Sequence, residues 1–333
     1  AQPRLCATGS GQGRVRAEGE DKRVIILEDI ALRRGQKLLF SGASATLQPG
    51  QKIALIGGNG CGKSSLFALL LEALQADAGD IRGLKGLRIS YMAQETETSP
   101  LTARDYVIAG DAALFHTLQD LTSADAAGDY EQSAMLHQRI EELDGYSAER
   151  RAEQLLLGLG FQREKMDAPM SVFSGGWRIR LNLARALMAP SDLMLLDEPT
   201  NHLDLDTTLW LQTWLQSYRG TLLMISHDRD FIDATCERTL EIAGQALTAY
   251  RGNYSDYERQ RAEQMAQQQA QYEKQQRRIA DIEDFVRRFR AKATKARQAQ
   301  SRLKELERMH KVAKAHIDSP FSFNFPPPGK VSD

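Results

Sequence analysis

Residues Gly57 to Ser64 carry the sequence GGNGCGKS, from which the architecture of the chain follows. The stretch matches the phosphate-loop pattern G-x-x-x-x-G-K-[ST] at every required position. Before it, Lys52–Ile56 (KIALI) predicts a buried strand, and after it, Ser65–Leu74 (SLFALLLEAL) predicts a helix. Because strand, loop and helix follow in this order, the sequence favours a nucleoside triphosphate site over a simple glycine turn before a helix.

Each part of this loop has an expected role. Glycines let backbone N–H groups turn toward phosphate oxygens, and the helix N-terminus adds a partial positive charge. Lys63 is expected to reach the β- and γ-phosphates, and Ser64 to ligate Mg²⁺. The predicted nucleotide-binding residues are Gly57, Gly58, Asn59, Gly60, Cys61, Gly62, Lys63, Ser64 and Ser65.

Two adjacent carboxylates end a second apolar run, LMLLDEP, from Leu193 to Pro199. Taken alone, such a run is often a solvated strand end. Combined with the phosphate loop, it predicts that Asp197 holds Mg²⁺ directly or through water. Glu198 is then expected to orient or deprotonate the attacking water.

The charge of the chain is unevenly distributed. The formal net charge is −1 over 333 residues, yet Glu258–Lys314 holds 16 Lys/Arg against 8 Asp/Glu. Three cysteines, far apart and odd in number, argue against a disulfide framework and indicate a reducing compartment. The chain opens with no signal-peptide pattern, and no apolar run approaches the roughly 18 residues of a membrane span. We therefore expect a cytoplasmic protein that has no membrane partner.

Strand-like runs, among them LRISYM (Leu87–Met92) and LMLLD (Leu193–Asp197), alternate with helical patterns from Val24 to about Tyr254. This alternation favours an α/β fold with a mainly parallel sheet covered by helices. Residues 1–22 have no periodicity and are predicted to be a disordered tail. Residues 23–254 form the predicted nucleotide-binding domain, with helical patterns at about 95–190. The chain lacks an initiator Met, which indicates a fragment or a processed product.

The composition changes after Gly252. Asn253–Ser319 contains 67 residues without a single Gly or Pro, which predicts long helices. Two apolar stripes separated by a polar stretch suggest an antiparallel helical hairpin over residues 255–318, turning near residues 294–301. Residues 319–333 are proline-rich and predict an extended linker.

Ser174, Gly175 and Gly176 precede an amphipathic helix, in the run FSGGWRIRLNLARAL from Phe173 to Leu187. In isolation, this pattern is typical of a serine-capped helix start. In order along the chain, however, GGNGCGKS, Gln94, SGGWR, LMLLDEPTNHLD and SHD resemble the motifs of the ATP-binding cassette superfamily. The resemblance covers about Val24 to Tyr254.

The resemblance implies a P-loop NTPase fold, ATP and Mg²⁺ as cofactors, and ATP hydrolysis. It also implies that two cassettes face each other, so that the signature Ser174, Gly175 and Gly176 contacts the γ-phosphate held by the other cassette. A single cassette is then a poor ATPase, and its partner is a second cassette in the same chain or a homodimer partner.

Three further roles are implied by the same resemblance. Gln94 is similar to the residue that senses the γ-phosphate and touches Mg²⁺ or water, although an isolated Gln after a strand is usually polar surface. His227 is similar to the switch histidine that holds the γ-phosphate and the attacking water, where a lone His would more often cap a helix. Asp204 lies in the run NHLD, which is similar to the loop that crosses the dimer interface. The alternative for Asp204 is a helix cap.

One position departs from the superfamily pattern. Many cassettes place an aromatic side chain against adenine where this chain has Arg34, before Gly35. A guanidinium can stack on a base, but selectivity for adenine over guanine is then open. Phe40 and Leu32 are alternative base contacts that the sequence does not rank.

The SGGW signature and the charged hairpin resemble the ABC-F class, soluble twin-cassette ATPases that act on ribosomes. That resemblance implies the ribosome and tRNA as partners, a role as a translation factor, and a second cassette after the linker, which this sequence does not contain. Between residues 287 and 304 there are eight Lys/Arg and no acid, which favours RNA over a merely solvated helix face. The predicted RNA-binding residues are Arg287, Arg288, Arg290, Lys292, Lys295, Arg297, Arg302 and Lys304.

Other functions of a cassette remain open at this point. A nucleotide-binding transporter subunit would give no reason for the long basic extension. A DNA-repair or chromosome-organising cassette usually carries its coil between the phosphate loop and the signature, whereas here the coil follows both. A purely structural ATP-binding module would not require Glu198 and His227.

Overall fold

The structure is a computed structural model that describes residues 24–92, 99–289, 301 and 304. The chain divides into two compact units, residues 1–255 and 256–333. The tail predicted for residues 1–22 lies outside the described residues, as does the linker predicted for residues 319–333.

The first unit contains two sheets, as alternating apolar runs require. The strands among its described residues are β1 (Ile25–Arg34), β2 (Lys37–Leu47), β3 (Lys52–Gly57), β4 (Ala78–Arg82), β5 (Ile89–Tyr91), β6 (Leu193–Asp197), β7 (Thr221–Ile225), β8 (Arg238–Ala243) and β9 (Ala246–Arg251). The larger sheet has the order β5-β6-β7-β3-β8-β9 and is parallel except for β9. The smaller sheet, β2-β1-β4, is antiparallel. The predicted mainly parallel α/β fold is confirmed.

Helices account for most of the remaining described residues. They are α1 (Lys63–Leu70), α2 (Ala103–Ile108), α3 (Ala112–Ala127), α4 (Tyr130–Glu142), α5 (Ala148–Gly158), α6 (Gly175–Met188), α7 (Leu205–Ser217), α8 (Arg229–Thr235) and α9 (Tyr254–Phe289). Short 3₁₀ helices lie at Gly145–Ser147, Arg163–Lys165 and Met170–Val172. Helices α2 to α6 fall within or at the end of the region predicted to be helical, residues 95–190.

The core of the first unit explains why the phosphate loop is held firmly. Leucine, isoleucine and phenylalanine side chains from both sheets and from α1 form one buried cluster. Strands β6 and β7 are buried at every position, as expected for central parallel strands covered on both faces. Phe40 and Phe67 are fully buried in this cluster, so β2 and α1 pack onto the sheet beside the loop.

Helix α1 ends earlier than the sequence predicts. The apolar pattern continues to Leu74, but the helix stops at Leu70, and Glu72 adopts a left-handed backbone with φ 55°. A left-handed residue cannot continue a right-handed helix, so the chain turns there while its leucines still pack on the core. Apolar spacing reports burial and does not locate a turn.

The long Gly/Pro-free segment begins as one continuous helix, α9, of 36 residues. At about 1.5 Å per residue this helix is roughly 54 Å long. The predicted turn near residues 294–301 and the second arm lie outside the described residues, apart from residues 301 and 304. Within the part of the chain that is described, no helix combines the length and the apolarity needed to cross a membrane.

Candidate nucleotide-binding and catalytic site

A cleft of about 600 Å³ opens at the carboxyl ends of the neighbouring strands β6, β7 and β3. In a parallel sheet these ends meet at one edge, which is where open α/β proteins bind ligands. The cleft therefore collects residues from distant parts of the chain. It is lined by Arg34, Lys37, Leu39, Asn59, Gly60, Gly62, Lys63, Ser64, Ser65, Asp197, Glu198, Ile225 and His227.

The loop between β3 and α1 needs glycine at two positions. At Gly57, where φ is 153°, a Cβ atom would lie 2.7 Å from the Ile242 carbonyl oxygen. At Gly62, where φ is 118°, a Cβ atom would lie 2.8 Å from Cζ of the fully buried Phe40. The loop thus packs on the core through its own backbone, which leaves its outer side for a ligand.

Lys63 folds back over this loop. Its Nζ donates to the carbonyl oxygen of Gly57 at 2.7 Å and to that of Gly58 at 3.3 Å. The ammonium group therefore lies directly over the loop, where the sequence places the β- and γ-phosphates. Cys61 is half-buried, and its side chain packs against the core cluster.

Asp197 ends β6 as a buried carboxylate, 5% exposed. Burial first, and then the neighbouring Glu198, raise the pKa of Asp197, while Lys63 and a hydrogen bond from Ser64 oppose that rise. A nearby cation stabilises the charged form of a buried carboxylate. The hydroxyl of Ser64 and the carboxylate of Asp197 are hard oxygen donors, so these two residues fit Mg²⁺, which commonly takes one or two protein ligands together with phosphate and water.

Glu198 has an unusual backbone that aims its side chain into the cleft. Its φ is 53°, and its amide donates to the carbonyl of Ile225 at 2.8 Å. A non-glycine residue at positive φ carries strain, and such residues concentrate at functional sites. Its Oε1 is buried and accepts no hydrogen bond from a described residue, although Nε2 of His227 lies 3.3 Å away.

His227 meets Glu198 through its backbone as well. The amide of His227 donates to Oε2 of Glu198 at 3.2 Å, and the imidazole remains largely exposed to the cleft. The neighbouring Asp228, and not His227, caps helix α8, through its Oδ1 and the amide of Phe231. The helix-capping alternative for this histidine is therefore wrong.

The three signature residues do not line the cleft of their own chain. Ser174 occupies the N-cap position of α6, but its side chain makes no capping hydrogen bond. Ser174 and Gly175 are exposed, and a Cβ atom at Gly175 would meet nothing within 4 Å. The phosphate loop and the signature thus occupy separate sites on this chain, and contact between them across two cassettes stays a prediction.

Asp204 caps helix α7, as the alternative interpretation supposed. Its Oδ1 accepts from the amide of Thr207 at 3.0 Å, and hydrogen bonds from Thr207 and then Arg180 lower the pKa of Asp204 to about 2. A role in an interface is untested and stays a prediction.

Arg180, which the sequence interpretation missed, joins the signature helix to the loop before α7. Its side chain is 12% exposed and donates to the carbonyl of His202 through Nε at 3.0 Å and Nη2 at 2.7 Å. It also donates to the carbonyl of Leu159 at 3.2 Å and to Oδ2 of Asp204 at 3.2 Å. One buried guanidinium therefore fixes three segments, and no spacing in the sequence signals this.

The structure decides between the candidate base contacts. Phe40 is fully buried against Gly62, and Leu32 is 4% exposed within the core cluster, so neither can face a bound nucleotide. Arg34 lines the cleft. Lys37 lines it too, and its Nζ donates to the carbonyl of Gly60 at 2.8 Å. The sequence interpretation missed this lysine.

Gln94 and most of the predicted RNA-binding residues lie outside the part of the chain that the structure describes. These RNA-binding residues are Arg290, Lys292, Lys295, Arg297 and Arg302. Arg287 is described and pairs with Asp284, Nη2 to Oδ1 at 2.6 Å, so an acid one turn earlier offsets the first charge of the basic run. Arg288 lies in α9, and Lys304 is exposed.

Comparison with known proteins agrees with this arrangement. Two family models, both described as "ABC transporter", match residues 40–201 and 240–325. The chain is 50% identical over 305 residues to "Probable ATP-binding protein YheS" of Haemophilus influenzae, covering 92% of this chain and 48% of that protein. It is 34% identical over 324 residues to "ATP-binding cassette sub-family F member 3" of Homo sapiens, covering 95% of this chain and 45% of that protein. The chain spans about half the length of the curated relatives it matches.

A solved structure titled "Structure of ATP binding subunit of ABC transporter" superposes with a TM-score of 0.54 at 18% identity, over 72% of this chain and 93% of that one. At this identity the likeness concerns the fold alone, and it confirms the predicted α/β fold. The sequence identity to the relatives carries the assignment further. The chain belongs to the ATP-binding cassette family and, within it, to sub-family F.

Proposed function

We propose that this chain binds ATP with Mg²⁺ and hydrolyses ATP to ADP and phosphate. Lys63 and the backbone of the phosphate loop hold the phosphates, and Ser64 and Asp197 hold Mg²⁺, whose chemistry when bound is to neutralise phosphate charge. The buried carboxylate of Asp197 next to the hydroxyl of Ser64 supports the metal assignment.

The pairing of Glu198 with His227 carries the proposal of hydrolysis. Glu198 presents a buried oxygen, Oε1, that has no hydrogen-bond donor among the described residues, while Oε2 is anchored by the His227 amide. A fixed carboxylate with a free lone pair can orient a water molecule and accept its proton. The exposed imidazole of His227 lies beside it and can donate to a phosphate oxygen.

A second cassette completes the catalytic site in this proposal. The signature residues Ser174, Gly175 and Gly176 lie at an exposed helix start away from the phosphate loop of the same chain. Such a helix start offers N–H groups and partial positive charge to a phosphate held by another cassette. The greater length of the relatives is compatible with a second cassette in the same polypeptide.

We propose further that the energy of ATP is used on the ribosome, beside tRNA, by a cytoplasmic translation factor. The resemblance to the ABC-F class supports this, as does the surplus of positive charge after residue 257. Lysine and arginine side chains neutralise RNA phosphates, and they do so without sequence preference. The long helix α9 leads into the run of eight cations.

The test of hydrolysis is Glu198→Gln. The amide keeps an oxygen for the His227 amide but cannot accept a proton, so we expect ATP turnover to fall about 10²- to 10³-fold with ATP affinity unchanged. Glu164→Gln, an exposed residue outside the cleft, is the control and should keep full turnover. If Glu198→Gln keeps more than half of the turnover, Glu198 is not the catalytic base.

The test of the ribosome role uses the same variant, in this chain and in the chain joined to a second cassette. Glu198→Gln should increase co-sedimentation with ribosomes when ATP is present, because the ATP-bound form persists. Replacing Arg290, Lys292, Lys295 and Arg297 by Gln should weaken that association and leave ATP affinity intact. Absence of ATP-dependent association in both proteins would refute the ribosome role and leave the ATPase assignment standing.

A further inference from the structure

The tip of the hairpin formed by β1 and β2 places two cations at the mouth of the cleft. Arg34 and Lys37 are directly opposite each other across a two-residue turn, in which Gly35 has φ 60°. Residues paired in this way project from the same face of a hairpin, with Cβ atoms about 4.5–5.5 Å apart. Both side chains line the nucleotide cleft.

Repulsion between these two cations destabilises the hairpin of the free protein. Like charges directly opposite each other destabilise a hairpin. Neither Arg34 nor Lys37 forms an ion pair with any residue that the structure describes. The one described side-chain hydrogen bond of Lys37 goes to the carbonyl of Gly60 in the phosphate loop, at 2.8 Å. The two carboxylates that line the cleft, Asp197 and Glu198, follow β6, whereas the cations lie at the hairpin tip. An anionic ligand in the cleft would offset this repulsion.

We propose that Arg34 and Lys37 act as a nucleotide-binding pair, Lys37 on the phosphates and Arg34 on the nucleobase, so that the site takes ATP and GTP without preferring adenine. The proposal rests on the proposed function and extends it to a second substrate, GTP. Lys37 already touches the phosphate loop, which places its ammonium within side-chain reach of the phosphates. The side chain of Arg34 has no described hydrogen bond that a nucleobase would have to displace.

The chemistry of arginine explains the lack of adenine preference. A guanidinium has donors and no acceptor. The guanine edge offers two acceptors, O6 and N7, whereas the adenine edge offers one acceptor, N7, beside the N6 donor. Stacking of the guanidinium plane serves either purine. Neither contact therefore rejects guanine.

Among the described residues, no side chain that lines the cleft offers a contact selective for adenine. Phe40 and Leu32 are buried in the core, and Leu39 is 6% exposed. Among the described residues that line the cleft, His227 carries the one aromatic ring, and it belongs to the catalytic end beside Glu198. The nucleobase end is thus formed by the hairpin tip.

The experiment measures dissociation constants of this chain by titration calorimetry with Mg²⁺ and three probes: ATP, GTP and inorganic triphosphate. For the unmodified chain we expect GTP to bind within about threefold of ATP or more tightly. Inorganic triphosphate reports phosphate contacts alone. A salt titration should weaken all three, since each relies on partly exposed cations.

Two variants separate the two roles. Lys37→Gln should weaken ATP, GTP and triphosphate alike, by about three- to tenfold. Arg34→Ala should weaken ATP and GTP by about three- to tenfold and leave triphosphate unchanged. Arg33→Ala is the matched control, because Arg33 is an exposed arginine of the same hairpin that does not line the cleft, and it should bind all three probes as the unmodified chain does.

Each outcome has a definite meaning. ATP binding more than tenfold tighter than GTP overturns the inference and leaves the ATPase proposal intact. Variants of Arg34 and Lys37 that bind like Arg33→Ala also overturn it. If the folded chain binds neither nucleotide, the proposed function itself fails. The expected pattern, comparable purine affinities with triphosphate sensitive to Lys37 alone, supports the inference.

Discussion

Replacing Arg180 by Ala tests whether one buried guanidinium holds the signature helix to the loop before α7. Arg180 donates to the carbonyls of His202 and Leu159 and to the carboxylate of Asp204, and its guanidinium lies 4.8 Å over the ring of Trp177. Its side chain is 12% exposed, and its bond to the Leu159 carbonyl is partly buried, whereas its bonds to His202 and Asp204 are exposed. The variant removes all of them at once.

The magnitude follows from these contacts. A hydrogen bond from a charged donor contributes about 1.5–3 kcal/mol, and a buried acceptor left unsatisfied costs about 1–3 kcal/mol. The partly buried carbonyl of Leu159 gives most of the effect, because water can replace the exposed bonds to His202, and the exposed ion pair with Asp204 is worth less than about 1 kcal/mol. We expect the free energy of unfolding to fall by about 2–3 kcal/mol.

Arg178 provides a matched comparison on the same helix. Its guanidinium bonds only to the nearby carbonyls of Phe173 and Ser171, at 2.9 and 3.2 Å, and its Nη2 contact is exposed. Arg178→Ala should therefore cost about 1–2 kcal/mol. Urea unfolding followed by tryptophan fluorescence measures both. An Arg180→Ala cost below 1 kcal/mol, or no larger than that of Arg178→Ala, would refute the linking role.

The remaining predictions concern two glycines and one cap. Gly62→Ala should lower the free energy of unfolding by about 2–4 kcal/mol, because φ is 118° and the new Cβ atom would press on buried Phe40. At Gly175, by contrast, a Cβ atom meets no atom within 4 Å, so Gly175→Ala should unfold thermally at or slightly above the original midpoint. A large loss at Gly175 would contradict the open surface at the signature. Asp204→Ala should cost about 1 kcal/mol at neutral pH through the lost cap on Thr207. Because the folded pKa of Asp204, about 2, lies below the ordinary 3.8, that contribution is present above pH 4 and is lost as pH falls toward 2. Asp204→Asn should keep a neutral cap. If the urea midpoints of the unmodified chain and of Asp204→Ala differ by the same amount at pH 7 and at pH 3, this prediction is contradicted.

Local patterns predicted some elements closely and others poorly. The run LMLLD was predicted to be a strand, and β6 spans those same residues, because a short apolar run ending in carboxylates has a clear boundary. The predicted strand Leu87–Met92 shortens to β5, Ile89–Tyr91. Helix α1 ends before its apolar pattern does, because the left-handed backbone of Glu72 turns the chain. Burial and turning are separate properties, and hydrophobic periodicity reports the first.

The phosphate loop was predictable for a physical reason. Its proposed function depends on backbone freedom and one lysine within eight consecutive residues, so the chemistry is contiguous and visible in sequence. The same holds for the carboxylates of Asp197 and Glu198 and for the long helix α9, which depends on the absence of Gly and Pro.

The tertiary structure alone decided which separated residues meet. Glu198 and His227 come together because β6 and β7 are parallel neighbours whose carboxyl ends share one edge of the sheet. Arg34 and Lys37 reach the cleft because the hairpin register sets them opposite each other above the phosphate loop. Arg180 finds its acceptors on two other segments. Pairing of strands and packing of helices depend on the whole core, so the local sequence of these residues carries no sign of the contact.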